Sequence, residues 1–313
     1  MTARARFIVA NRLRHHLLEW RRDGREPLPP RLTPPGPDGQ EPLPPRLTPP
    51  GPLLLLHGFL EHAHTWDLVA PRLAAAGWHV LALDWRGHGD SEWVGSGGYY
   101  HFADYSADLA FLVRSLGGRA VLVAHSMGAT AAMSYAGIEP ERVPALVLVD
   151  GLGPPDMERL PAPERYRAWI AGLEGAARRV RRPFQLEDAA ARLRDRFPRF
   201  PAAVARHMAQ HGSRRVEGGR AWKFDPLHQT TSPVPFSRAR ALPVWRCISA
   251  PVLYVEGADS PLRLEPADQA ERLTTLRAQR ATVPGAGHHP HLERPEAFTR
   301  AVLEFLGGVS CAD

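Results

Sequence analysis

The chain has 313 residues, of which 44% are apolar and 23% charged, so a packed core is affordable and wholesale disorder is excluded. Its formal charge of +6 rests almost wholly on arginine, since Lys223 is the only lysine, and no nucleic-acid-binding motif accompanies that charge. No apolar run approaches the ~20 residues of a membrane span and residues 7–10 are too short for a signal-peptide core, so the expectation is no membrane span and a cytoplasmic location.

In chain order, residues 6–10 and 15–20 read as an opening pair of strands. A Pro-rich segment follows, 25–52, in which residues 26–37 recur letter for letter as 41–52. Prolines lack the donor a sheet ladder needs, so this duplicated stretch is expected to be an extended surface loop. From residue 53 the rhythm becomes strand, loop, helix. Strands are expected at 53–56, 79–83, 120–124 and 145–149, and helices at 66–76, 102–116 and 127–137. Residues 154–246 break the pattern, with helix formers, prolines and no convincing buried strand. It resumes with strands at 251–255 and 281–283 and a closing helix at 295–306. The expected fold is therefore α/β, a doubly wound, mostly parallel sheet of about eight strands. Residues 1–153 and 247–313 form its core domain, and 154–246 form a helical cap inserted over the carboxyl ends of the strands, where ligands bind in open sheets. The insertion carries 19 basic and 9 acidic residues, leaving the rest of the chain slightly acidic. An arginine-rich solvated surface is the plain reading, and steering of an anionic substrate or contact with an acidic partner the sharper one.

The strongest local signal is Ala124-His125-Ser126-Met127-Gly128, a strand running straight into a helix with a serine at the bend. A hydroxyl there projects above the sheet, and small neighbours are needed where strand and helix nearly touch. It is a poor nucleophile until a base takes its proton. Downstream, Pro284-Gly285-Ala286-Gly287-His288 places a histidine after a small-residue turn, followed by His289, His291 and an acidic, proline-started helix. Two carboxylates stand at strand ends between these segments: Asp150, at the end of strand 145–149, and Asp259, after strand 251–255. Both lie between Ser126 and His288 in the chain. Fifteen histidines raise the question of a metal, yet neither His-Glu-x-x-His nor paired cysteines appear, and no glycine-rich nucleotide fingerprint follows the first parallel strand. Cys247 and Cys311 are far apart, so a structural disulfide is not expected.

Taken together, the elbow and the histidine loop resemble the α/β-hydrolase family, with Ala124 in place of the first glycine of Gly-x-Ser-x-Gly. The resemblance implies a cofactor-independent hydrolase of small-molecule esters, with Ser126 as nucleophile and His288 as base. In the family the acid most often stands three residues beyond the glycine of the strand after the cap, which here is Ser260. Asp259 is one position early, and Asp150 matches the place used by other relatives and is favoured. The backbone amides of Phe59 and Met127 match the family's oxyanion hole. His57 is expected to be structural, His62 and His64 to lie at the pocket or the surface, and residues 84–91 to form a structural turn. Trp222 and His228 are the cap residues expected to reach substrate. A serine at the elbow argues against the family's epoxide hydrolases and haloalkane dehalogenases, which use an aspartate there. Carbon–carbon, lactone or amide cleavage, or a non-catalytic ligand-binding role, remain as alternatives. Neither the natural substrate nor a choice between monomer and homodimer can be read from the chain.

Overall fold

Every side chain of β3 (Leu53–Leu56) is buried, because both faces of this central strand are covered. A computed structural model describes residues 2–21, 51–156, 161–178 and 182–308. The Pro-rich duplication lies outside these residues except for Gly51 and Pro52, as does Cys311, while Cys247 is an exposed free thiol.

An eight-stranded sheet is built in the order β1-β2-β4-β3-β5-β6-β9-β10. Its members are β1 (Arg4–Ala10), β2 (Leu13–Trp20), β3, β4 (Val80–Leu83), β5 (Val121–His125), β6 (Leu146–Val149), β9 (Val252–Gly257) and β10 (Gln279–Val283). The strands from β4 to β10 run parallel, and the β1–β2 hairpin is antiparallel. Asn11 and Arg12, both at positive φ, make the two-residue turn whose twist suits such a hairpin. Alternation along each strand sorts the core into two layers. Leu54, Leu56, Leu122 and Ala124 face one side, and Leu53, Leu55, Val121 and Val123 the other. Helices α2 (Phe102–Ser115) and α3 (Met127–Ile138) cover the first side, and α1 (Ala70–Ala75) and α10 (Pro295–Gly308) the second.

Between the neighbouring strands β6 and β9 lie α4 (Ala162–Arg178), α5 (Leu186–Arg196), α6 (Ala202–His211), the hairpin β7 (Ser213–Val216) with β8 (Gly219–Trp222), and α7 (Arg238–Trp245). Phe184, Ala189, Phe200, Ala205 and Met208 form a separate small apolar cluster there, packed on Leu68 and Leu292. The hairpin carries exposed Arg214 and Arg215 instead of an apolar run, so its pattern does not stand out. Two more elements escape the sequence reading, α8 (Pro266–Leu276) and the one-turn α9 (Pro290–Glu293). The helix expected at 66–76 is two pieces, a 3₁₀ turn at Ala63–Trp66 and α1, which starts afresh at Pro71 near its N-terminus. Among the described residues no helix is long and apolar enough to cross a membrane.

Candidate active site

Ser126 stands between β5 and α3 with φ 51° and ψ −113°, a strained conformation for a residue with a side chain. The neighbouring backbone holds it there. A Cβ added to Gly128 would lie 2.6 Å from the His57 carbonyl oxygen and 2.9 Å from that of Leu56, so only glycine fits where α3 crosses the end of β3. Ala124 is fully buried, so the methyl that replaces the family's first glycine has a place in the core.

His288 reaches this hydroxyl from the loop after β10. Its Nε2 lies 3.1 Å from Ser126 Oγ, and its Nδ1 donates to Asp150 Oδ2 at 2.7 Å. With the Nδ1 proton held by the carboxylate, Nε2 is free to accept from the serine. Asp150 follows β6 at φ 44°, and its side chain is almost fully buried. Two further donors turn to it, Ser260 Oγ at 2.5 Å and the Gly257 amide at 3.4 Å. The position at which the resemblance most often places an acid, Ser260, thus holds a hydroxyl that donates to the carboxylate following the neighbouring strand. Asp259 is elsewhere, half exposed and paired with Arg199 at 3.0 Å. Of the loop glycines, Gly285 adopts φ 67°, whereas Gly287 is not at positive φ.

The amides of Phe59 and Met127 have no protein acceptor among the described residues. They flank the contact between α3 and the end of β3 that Gly128 permits. His57 is structural: Nδ1 donates to the Gly58 carbonyl at 2.7 Å and Nε2 accepts from the Trp85 amide at 3.1 Å. Burial lowers its pKa, in keeping with a neutral ring. Asp84 is likewise a hub, taking His16 Nδ1 (2.7 Å) and the amides of Ala63 (2.6 Å) and Asp90 (2.9 Å). His62 is buried and donates to the Met208 carbonyl at 3.0 Å; His64 is half-buried on Asp67.

The two residues expected to reach substrate both lie among other rings. Trp222 stacks on Phe184 and Phe224, where the small apolar cluster claims its ring. His228 is packed between Tyr100 and His88, with ring centroids 3.8 and 4.0 Å away. Among the described residues neither has a hydrogen bond or ring contact with Ser126 or His288.

Beneath His288 lies a buried network with no counterpart in the sequence reading. His125, next to the serine, has one nitrogen 2.9 Å from the His288 carbonyl and the other 3.3 Å from Glu61. His289 donates to Glu61 at 2.9 Å. Burial opposes charge on both Glu61 and His125. Their mutual attraction prevails, holding the carboxyl well below its usual range and raising the imidazole. A protonated His125 can donate at both nitrogens, gripping the backbone that carries His288. Burial lowers His289 to about 4, so this neighbour stays neutral. His125 occupies a variable position of the elbow and Glu61 is 64 residues away, so no local signal joins them.

Comparison with known proteins places these features in context. The pattern described as "Alpha/beta hydrolase family" matches residues 53–301. A 2-(acetamidomethylene)succinate hydrolase of Mesorhizobium japonicum is 30% identical over 261 residues, 81% of this chain and 87% of that protein. Epoxide hydrolase A of Mycobacterium tuberculosis is 30% identical, over 82% of this chain and 90% of its own. An esterase of the same organism is 31% identical over 82% of each.

Proposed function

The chain belongs to the alpha/beta hydrolase family, and on that premise we propose that it cleaves a small carboxylic ester through an acyl-enzyme on Ser126. The observation that carries the reading is the linked pair of contacts, 3.1 Å from Ser126 Oγ to His288 Nε2 and 2.7 Å from His288 Nδ1 to Asp150. His288 takes the serine proton as Oγ attacks the ester carbonyl. The amides of Phe59 and Met127 receive the developing oxyanion, and such a donor contributes roughly 3 kcal/mol to lowering the barrier. Collapse expels the alkoxide, which leaves as an alcohol with the proton from His288. Water, deprotonated by the same nitrogen, then attacks the acyl-serine, and its collapse frees the acid and restores the hydroxyl. Asp150 holds the ring in the tautomer this needs and balances the imidazolium. Residues 154–246 act as the cap that selects the substrate.

A serine at the elbow sets this chemistry apart from that of the epoxide hydrolases, in spite of the 30% identity to one of them. The test is labelling with a fluorophosphonate. The wild type should be labelled on Ser126, and Ser126→Ala should lose both label and turnover of p-nitrophenyl acetate. A folded wild type that neither labels nor turns over would refute the reading. A second reading concerns the substrate's charge. The basic cap segment, and a relative named for a succinate derivative, favour an anionic ester or amide. A hemisuccinate ester should then outpace its neutral methyl counterpart at low salt and lose that advantage at high salt.

A further inference from the structure

Between the α6 helix and the loop after β3, four side chains converge that the hydrolytic reading does not use. His64 and Asp67 come from the loop, and His207 and His211, one helical turn apart, from α6. One ligating atom from each lies within 4.8 Å of all the others, and all four residues are half-buried. Asp67 Oδ2 faces His64 Nδ1 at 2.8 Å and His207 Nε2 at 3.1 Å. Its Oδ1 is buried with no partner. The His211 ring stacks on that of His64 with centroids 3.8 Å apart, and among the described residues neither of its nitrogens has a hydrogen bond. A buried carboxylate oxygen without a donor, beside an imidazole without a partner, is an arrangement that a cation would complete.

We propose that His64, Asp67, His207 and His211 bind a zinc-class divalent metal ion that clips α6 to the loop carrying Phe59. Three imidazoles and a carboxylate suit a four-coordinate zinc ion. Bonds of about 2.0–2.1 Å in a tetrahedron put donor atoms roughly 3.3 Å apart, so on binding the widest pair closes by at most about 1.5 Å and the closest opens by about 0.5 Å. Access is open on one side, since His211 also lines a cleft of about 540 Å³ beside Arg206 and Arg214. The other close groups are less suited. His125, His288 and His289 are committed to the base and its support, and Glu61 with His125 and His291 is buried in the same network. In the group of His16, Asp84 and Asp90, His16 bonds to Asp84, Asp90 pairs with Lys223, and no buried ligand atom is left without a partner among the described residues.

The clip does not depend on what Ser126 does, and it is read without turnover. Untagged protein stripped with a chelator is titrated with zinc chloride by calorimetry, and separately with Co²⁺ while the visible absorption of tetrahedral cobalt is followed. The wild type should take up one equivalent with micromolar or tighter affinity and unfold at a higher temperature when loaded. Outer-shell changes alone typically weaken a metal site 10- to 100-fold, so His207→Ala and His211→Gln, which remove ligands, should each weaken binding by at least about 100-fold. His211→Gln is the safer variant for folding, because it breaks no hydrogen bond. Wild-type binding no tighter than 100 µM, or unchanged affinity in a folded His211→Gln protein, overturns the proposal.

Discussion

Replacing Asp150 with asparagine keeps the shape of the side chain and removes its charge. Oδ2 accepts from His288 Nδ1 at 2.7 Å and from Ser260 Oγ at 2.5 Å, while Oδ1 faces the Gly257 amide at 3.4 Å. If the new NH₂ takes the Oδ2 place, His288 must move its proton to Nε2. That nitrogen faces Ser126 and can then no longer accept from it. If the NH₂ takes the Oδ1 place it confronts the Gly257 N–H, and the imidazolium formed during attack has lost its counter-charge. Either way kcat should fall about a thousand- to ten-thousandfold, or about 4–5.5 kcal/mol at 1.36 kcal/mol per decade. Asp259→Asn only loosens a half-exposed pair with Arg199, of a kind that contributes about 0–1 kcal/mol, so kcat should change less than about threefold. The assay is p-nitrophenyl acetate hydrolysis, normalised to the folded fraction by circular dichroism. Equal and mild losses in the two variants, or a larger loss in Asp259→Asn, would refute the assignment.

Gly128→Ala forces a methyl to within 2.6 Å of a backbone carbonyl that cannot swing away, and should destabilise the fold by about 1–3 kcal/mol. A urea midpoint unchanged from wild type would contradict the close crossing of α3 over β3. The buried neutral histidines should make the protein acid-sensitive well above the carboxylate range. Burial lowers His62 and His228 to about 3 and His289 to about 4, while the unfolded chain protonates near a pH of about 6.5. Between those values the unfolded state binds more protons. The stability they contribute is whole above about pH 6.5 and drains away as pH falls toward 4 and 3. Urea midpoints measured from pH 8 to 4 should decline, and a His62→Gln/His289→Gln variant should decline less steeply. A curve as steep as the wild type's would remove these groups as the cause.

Legibility from sequence followed the range of the interaction. The sheet is readable because strands buried on both faces appear as unbroken apolar runs such as Leu53–Leu56. The elbow is readable because strand, bend and small-residue helix are contiguous. Asp150 and Asp259 both stay open as letters, with Asp150 favoured, because each follows a strand, and only the placing of β6 beside β9 brings one of them, Asp150, against His288. Trp222 and His228 are less legible for a related reason. Aromatic and polar residues suit a pocket rim and also suit ring stacking, and here Phe184 and Tyr100 take them. Glu61 and His125 were invisible because a long-range buried ion pair has no local signature.

The bond between Ser260 and Asp150 has a consequence for how the two strand ends are held. Val149 and Val255 are paired in register, so Asp150 and the segment carrying Ser260 leave the sheet from neighbouring strands and meet through Ser260 Oγ and Asp150 Oδ2. The hydroxyl at 260 therefore laces one strand end to the other, and Ser260→Ala would leave the Asp150 carboxylate held by His288 and the Gly257 amide alone.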